Sequence, residues 1–307
     1  VIVEILLVLG GLALLVLGGD LLVRGAVNLA LKLGMTPLVV GLTVVAFGTS
    51  APELLVSLSA ALKGSSGIAM GNVVGSNIAN VLVILGITSL VSVIVTKGHD
   101  LRESWAMMIG ASLLLIAIAF TGEIGRLEGL ILLAALALVL WRQLTTGKAE
   151  APELEGVTPG AGWGKIIIWL VIGLTALPIG ATLLVNGATE IARAFGISET
   201  VIGLTLVAIG TSLPELAASV ASALRGRADM ALGNVVGSNI FNILGILGIT
   251  ALIAPLPIPP EMMRLDLWVM LGASLLMAPF LFRGLSLTRP VGAAFLAAYG
   301  VYAWILL

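Results

Sequence analysis

The stretch GLTVVAFGTSAPELLVSLSAAL, from Gly41 to Leu62, returns as GLTLVAIGTSLPELAASVASAL from Gly203 to Leu224. A second phrase, GNVVGSNIANVLVILGIT from Gly71 to Thr88, returns as GNVVGSNIFNILGILGIT from Gly233 to Thr250. Glu53 and Glu215, Ser76 and Ser238, and Asn80 and Asn242 all stand 162 residues apart. One register kept across two separate motifs marks duplication of a half-protein, because chance likeness between apolar helices would not hold a common spacing. Each copy also places a glutamate within apolar sequence. An ionisable group at membrane depth is costly and tied to function, so the repeat points to an ion or substrate pathway.

Composition sets the environment. Of the 307 residues, 59% are hydrophobic and 10% charged, with mean hydropathy +1.19. A soluble domain carries about 25% charged residues, so this is an integral membrane protein and the lipid bilayer is its first partner. A net charge of −1 gives no field with which to hold nucleic acid. Cysteine is absent and His99 is the single histidine, which removes disulfides, thiol catalysis and histidine-rich metal sites. No cofactor is expected. An intramembrane hydrolase would lack a catalytic base, so the chain is not expected to be an enzyme. The apolar segment from Val1 has no basic region before it and no small-residue cleavage site, and reads as a transmembrane helix, not a signal peptide.

About 20 apolar residues cross about 30 Å of hydrocarbon. Ten such runs lie at 2–30, 38–62, 68–95, 104–121, 126–142, 165–192, 200–224, 230–254, 265–283 and 289–307. The expected fold is therefore an all-α integral membrane protein of about ten transmembrane helices. It divides into a first repeat at 1–145, a cytoplasmic linker at 146–164 and a second repeat at 165–307. Five spans per half is an odd number, so the second half enters the membrane from the opposite side and the repeats are inverted. Cytoplasmic loops hold the excess of lysine and arginine. With both termini extracellular or periplasmic, only Lys63, Arg126, Arg193 and Arg264 of the 15 basic residues lie outside. The expected location is the cell membrane, inner or plasma, with multiple passes. Glu150, Glu153 and Glu155 read as a solvated linker, not a cation site. No obligate protein partner is evident.

GTSAPE at 48–53 and GTSLPE at 210–215 should break their helices, since proline cannot join the helical ladder and disfavours helix in the residue before it. A break frees carbonyl oxygens such as those near Ala46 and Ala208, beside the hydroxyls of Thr49, Ser50, Thr211 and Ser212. Irregular backbone at membrane depth is tolerated where it lines a cavity or is buried in protein. In the companion phrase, Ser76 and Asn80, like Ser238 and Asn242, share one helical face at i, i+4. Asn77 and Asn239 fall about 100° round and suit backbone hydrogen bonds. Hydroxyls, carbonyls and the carboxylates Glu53 and Glu215 make an oxygen-only set that suits hard cations. A Pro-Glu pair also suits an ordinary helix start, but capping alone does not require the second motif. Asp20 and Arg24, at i, i+4, read as a self-neutralising pair. A channel built from paired half-helices is the competing class; the buried carboxylate pair fits an occluding carrier better.

These residues resemble the cation/calcium exchanger superfamily, in its sodium/calcium exchanger branch of prokaryotic type. The resemblance rests on G-T-S-x-P-E at 48–53 and 210–215 and on G-N-x-x-G-S-N at 71–77 and 233–239, and it covers essentially the whole chain. It implies a secondary active antiporter that exchanges Ca2+ for Na+ by alternating access, moving three sodium ions inward for each calcium outward. It also implies that Glu53 and Glu215 are the central calcium ligands. Thr49, Ser50, Thr211, Ser212, Ser76 and Ser238 complete the calcium and sodium sites, Ala46 and Ala208 give main-chain oxygens, and the first and sixth helices slide past the rest. Potassium-dependent relatives place aspartate where this chain has Asn242, and proton/calcium relatives carry a different acidic motif. Sodium coupling is thus the expectation, with proton or potassium coupling the alternative. The linker is too short for the large calcium-sensing domains of animal exchangers.

Overall fold

The computed structural model describes residues 2–97, 101–146, 161–196 and 208–306. The helices are α1 (Ile2–Leu33), α2a (Pro37–Thr49) and α2b (Ala51–Leu62), α3 (Ser66–Val91), α4 (Arg102–Ala119) and α5 (Arg126–Thr146). They continue as α6 (Trp163–Ala194), α7a (Ala208–Gly210) and α7b (Leu213–Leu224), α8 (Ala228–Ile253), α9 (Asp266–Arg283) and α10 (Arg289–Leu306). The chain is an all-α membrane protein of two inverted five-helix repeats, as expected. The expected start of the seventh span, His99 and the linker glutamates lie outside the described residues. Gly64 and Gly226, repeat mates, end α2b and α7b with φ of +75° and +70°, a left-handed conformation that glycine adopts without steric cost.

The inversion can be read from glycine contacts. A Cβ on Gly11 would stand 2.6 Å from the Gly180 carbonyl oxygen, one on Gly173 2.7 Å from the Leu22 nitrogen, and one on Gly187 2.6 Å from the Glu4 carbonyl oxygen. As α1 ascends from Glu4 to Leu22, its partner α6 descends from Gly187 to Gly173, so the two run antiparallel with backbones nearly touching. Gly11 and Gly18 are the repeat mates of Gly173 and Gly180. The contact is thus reciprocal, as a two-fold axis perpendicular to both helices generates, and that axis lies in the membrane plane.

The same axis interlocks the halves. A Cβ on Gly292 of α10 would meet the Gly86 carbonyl of α3 at 2.5 Å, and one on Gly129 of α5 would meet the Gly248 carbonyl of α8 at 3.0 Å. On one face of the membrane Ile94 bridges Leu287; on the other, strand β1 (Glu123–Ile124) pairs antiparallel with β2 (Leu256–Pro257). Ile94 and Leu256 are repeat mates, so one clasp serves both faces. Helices α3 and α8 form the centre, with 83% of their most apolar stretch buried, against 22% for α1 and 28% for α6. The α1/α6 pair therefore stands at the periphery, its outer leucines and valines facing lipid.

Among the described residues, three π turns interrupt the helices that frame the centre, at Gly41–Val45, Asn80–Ile84 and Phe241–Ile246. Each inserts one residue beyond the α spacing and re-aims the side chains that follow, a device concentrated at functional sites.

Candidate functional site

Helix α2 bends by 43° between α2a and α2b. The bend falls at Ser50, with φ −82° and ψ 6°, and its mate Ser212 has φ −89° and ψ 5°. Pro52 and Pro214 follow within the first two positions of the next helix, where the missing N–H would be unpaired in any case. Serine at such a position commonly caps its own helix. Here neither does. Ser50 Oγ donates instead to Glu215 Oε1 at 2.9 Å, and Ser212 Oγ to Glu53 Oε1 at 3.4 Å. Each glutamate sits in the first turn of its own helix, near the positive end of the dipole, and is held by a hydroxyl of the other half. Both are 1% exposed.

The central helices supply the support. Asn72 Nδ2 donates to the Glu53 carbonyl at 3.1 Å and to Ser57 Oγ at 2.9 Å; Asn234 Nδ2 does the same to Glu215 (3.2 Å) and Ser219 (3.0 Å). Sequence reasoning gave Asn72 and Asn234 no role. The signal was present, since Asn72, Ser76 and Asn80 continue one i, i+4 face. Four further asparagines knot α3 to α8. Asn77 Nδ2 donates to the Asn239 carbonyl at 3.4 Å and Asn239 Nδ2 to the Asn77 carbonyl at 3.2 Å. Asn80 Nδ2 then donates to Asn239 Oδ1 at 2.9 Å, and Asn242 Nδ2 to Asn77 Oδ1 at 3.1 Å. The backbone role expected of Asn77 and Asn239 is what the structure shows.

What remains unpartnered is oxygen. Glu53 Oε2, Glu215 Oε2, Asn80 Oδ1, Asn242 Oδ1, Thr211 Oγ1 and Ser238 Oγ are buried with no hydrogen-bond partner. A buried polar group without a partner is expensive, and an ionised carboxylate taken from water costs several kcal/mol even after relaxation. Thr88 and Thr250 Oγ1, about two turns further along α3 and α8, are also unpartnered; the six named oxygens, which include both carboxylates, suit a hard cation. Ser76 is 5% exposed on the same face. Thr49 donates to Asn234 Oδ1 and to the Ala46 carbonyl, each at 3.3 Å, and that carbonyl also accepts the Ser50 N–H at 3.0 Å. The helix thus stays hydrogen-bonded through Ala46, whose carbonyl is not freed as expected, and the break falls at Ser50, inside the expected segment and two residues after Gly48. Ala208 opens α7a, one turn ahead of Ser212. Among the described residues, no group of three or more histidine, cysteine, aspartate and glutamate side chains could hold a metal ion; the candidate set rests on two carboxylates and neutral oxygens.

The two mouths of the site differ. On one, Gly19 of α1 lies against α7b, where a Cβ would stand 2.9 Å from the Ala217 carbonyl. Asp20 there binds both Arg24, at 2.8 Å, and Arg225. The Asp20–Arg24 pair was legible in sequence; its third member was not. On the other mouth the mates of Asp20 and Arg24 are Thr182 and Asn186. A cavity of about 240 Å³ parts α6 from α2b, lined by Pro52, Val56, Thr182, Asn186 and Thr211. Thr49 is 1% exposed, whereas its mate Thr211 borders that cavity.

Broken helices from two inverted repeats, meeting at a buried set of oxygens, define a secondary transporter built on inverted repeats. The chain belongs to the sodium/calcium exchanger protein family, whose model matches residues 3–145 and 165–307. It is 36% identical to the sodium/calcium exchanger MaX1 of Methanosarcina acetivorans, over 99% of this chain and 98% of the relative. It is also 36% identical to the inner membrane protein YrbG of Escherichia coli K12, over 89% of this chain and 86% of the relative. A solved structure of the sodium-calcium exchanger NCX_Mj, soaked with zero Na+ and Ca2+, superposes with a TM-score of 0.87 at 34% identity and covers all of both chains. The protein is accordingly a multi-pass membrane antiporter of the cation/calcium class, a family of exchangers and not of enzymes.

Proposed function

We propose that the protein exchanges Ca2+ for Na+ at the cage around Glu53 and Glu215. The observation that carries this reading is the reciprocal bonding of Ser50 to Glu215 and Ser212 to Glu53, which leaves the second oxygen of each carboxylate unpartnered. Two carboxylates match the charge of one calcium ion. Thr49, Ser50, Thr211, Ser212, Ser76, Ser238, Asn80 and Asn242 supply neutral oxygens, and the Ala46 and Ala208 carbonyls add main-chain ones, so that the same oxygens serve several sodium ions in turn. Three sodium ions per calcium is the proposed ratio. The absence of a third carboxylate at Asn242 favours sodium without potassium, and the repeated T-S-x-P-E favours sodium over protons.

The asymmetry of the mouths supports alternating access. The mouth at Thr211 is parted by a cavity with hydroxyl and amide groups on its wall, whereas the gap of about 310 Å³ between α1 and α7b is lined by apolar side chains and Asp20 beside it is tied to Arg225. Sliding of the peripheral α1/α6 pair across the central helices would exchange the two conditions. The basic-residue bias supports termini on the outer face, which makes the parted mouth the outer one. The test is calcium uptake into vesicles containing the purified protein, driven in turn by sodium, potassium and proton gradients. Uptake that needs an outward sodium gradient supports the reading; full uptake on a proton gradient alone replaces it with proton/calcium exchange.

A further inference from the structure

Among the four asparagines between α3 and α8, only two present an unpartnered oxygen, and the hydrogen-bond directions explain which two. A backbone carbonyl can only accept. The Asn77 carbonyl therefore fixes the amide of Asn239 with its Nδ2 inward, at 3.2 Å. With its nitrogen so committed, Asn239 turns Oδ1 toward Asn80 and can only accept there, which obliges Asn80 to present Nδ2, at 2.9 Å. The far side of the Asn80 amide is then its oxygen, buried and without a partner. The mirror chain runs from the Asn239 carbonyl through Asn77 to Asn242, and ends on Asn242 Oδ1, likewise buried and unpartnered. An asparagine amide presents either an acceptor or two donors to a given point. A donor facing a cation repels it.

From this we infer that Asn77 and Asn239 are positioning residues for cation binding: each uses the backbone of the opposite half as a reference to lock the Asn80 or Asn242 amide oxygen-outward. The inference rests on the reading of the Glu53/Glu215 cage as the cation site. It names residues that touch no ion, and it makes cation affinity depend on contact between the halves. Each oxygen is oriented through a carbonyl on the other repeat, so neither half could set its own ligand alone.

The experiment is a pair of double-mutant cycles on the full chain in vesicles, with Ca2+ alone as the probe and the half-saturating Ca2+ concentration as the readout. Asn239→Ala frees the Asn80 amide to rotate and should raise that concentration roughly 10–100-fold, the range seen when a support behind a ligand is lost. In an Asn80→Asp background the same change should cost nothing, because a carboxylate has no donor face to turn toward the ion. Asn77→Ala should behave likewise against Asn242→Asp. Asn239→Leu, which keeps the side-chain volume, replaces Asn239→Ala if the smaller residue impairs folding. Equal losses in both backgrounds, or no loss in either, would overturn the inference and assign these asparagines to packing alone. Glu53→Gln, measured alongside, separates the two readings. Near-native calcium affinity in that variant removes the site itself, whereas its loss combined with an indifferent Asn239→Ala removes only the positioning role.

Discussion

The Ser50 hydroxyl reaches across 165 residues of chain to hold Glu215 at 2.9 Å, while Glu53, three residues from Ser50, is held in return by Ser212. Each carboxylate takes its hydroxyl hydrogen bond from the other repeat, while its main chain is held by an asparagine of its own. The site exists only where the two broken helices cross, so its integrity reports on the packing of the halves as directly as on its own side chains.

Glu53→Gln and Glu215→Gln should each lower calcium transport by about 100-fold or more, since removing one charge from a buried set leaves the rest uncompensated at a cost of about 3–5 kcal/mol. The protein should still insert and elute as a folded species, because the amide can accept the same serine hydrogen bond. Transport near wild-type rates in either variant would sink the proposed site.

Gly237→Ala should destabilise the protein by about 1–3 kcal/mol, the usual cost of overpacking. A Cβ there would stand 2.4 Å from the Leu42 carbonyl oxygen and 2.8 Å from the Ala46 Cβ, pressing α8 into α2a where the backbone cannot yield cheaply. Thermal unfolding in detergent measures this, and an unchanged midpoint would show that the two helices can separate freely.

Much of this was legible in the sequence because the repeat supplied its own control. The fixed spacing between Glu53 and Glu215 gave the inverted fold, and the odd number of spans gave its handedness in the membrane. The i, i+4 face from Ser76 to Asn80 gave part of the site. Sequence could not give partners across the axis. Nothing in GTSAPE says that Ser50 serves the other repeat's glutamate and not its own helix, and nothing near Asp20 announces Arg225. The role of Asn72 was hidden for a milder reason, since its target is a main-chain carbonyl with no sequence signature.

Thr49 and Thr211 occupy equivalent positions with unequal exposure, so cysteines there should react unequally. Thr211→Cys, bordering the cavity beside Asn186, should react with a hydrophilic thiol reagent at least about tenfold faster than Thr49→Cys, following its greater exposure. Calcium should slow the Thr211→Cys reaction. Equal rates would mean that both mouths open alike.

Sidedness has its own check. Cysteine placed at Gly226 should be labelled only from the cytoplasm and cysteine at Glu261 only from outside, as the bias of basic residues requires. Labelling of both from one face would contradict the proposed orientation of the termini.

Charge movement should reside in the sodium half of the cycle. With both carboxylates ionised, one calcium ion makes the loaded site neutral, whereas three sodium ions leave one positive charge, worth about 2.3 kcal/mol per 100 mV. Calcium/calcium exchange should then be indifferent to an imposed potential, and an inside-negative potential should favour sodium influx with calcium efflux. A voltage-dependent calcium/calcium exchange would place a different charge on the loaded carrier.

The reciprocal seam between α1 and α6, with Gly11 and Gly18 set against Gly180 and Gly173, is the kind of surface that two identical subunits share across a two-fold axis. The molecule is in that sense a homodimer written as a single gene, one protomer inserted upright and the other upside down. Covalent joining removes the requirement that both copies stay identical. Asp20 facing Arg225 on one mouth, against Thr182 on the other, shows what that freedom permits: an antiporter whose two sides obey the same geometry but different electrostatics, so that facing inward and facing outward need not be equally populated.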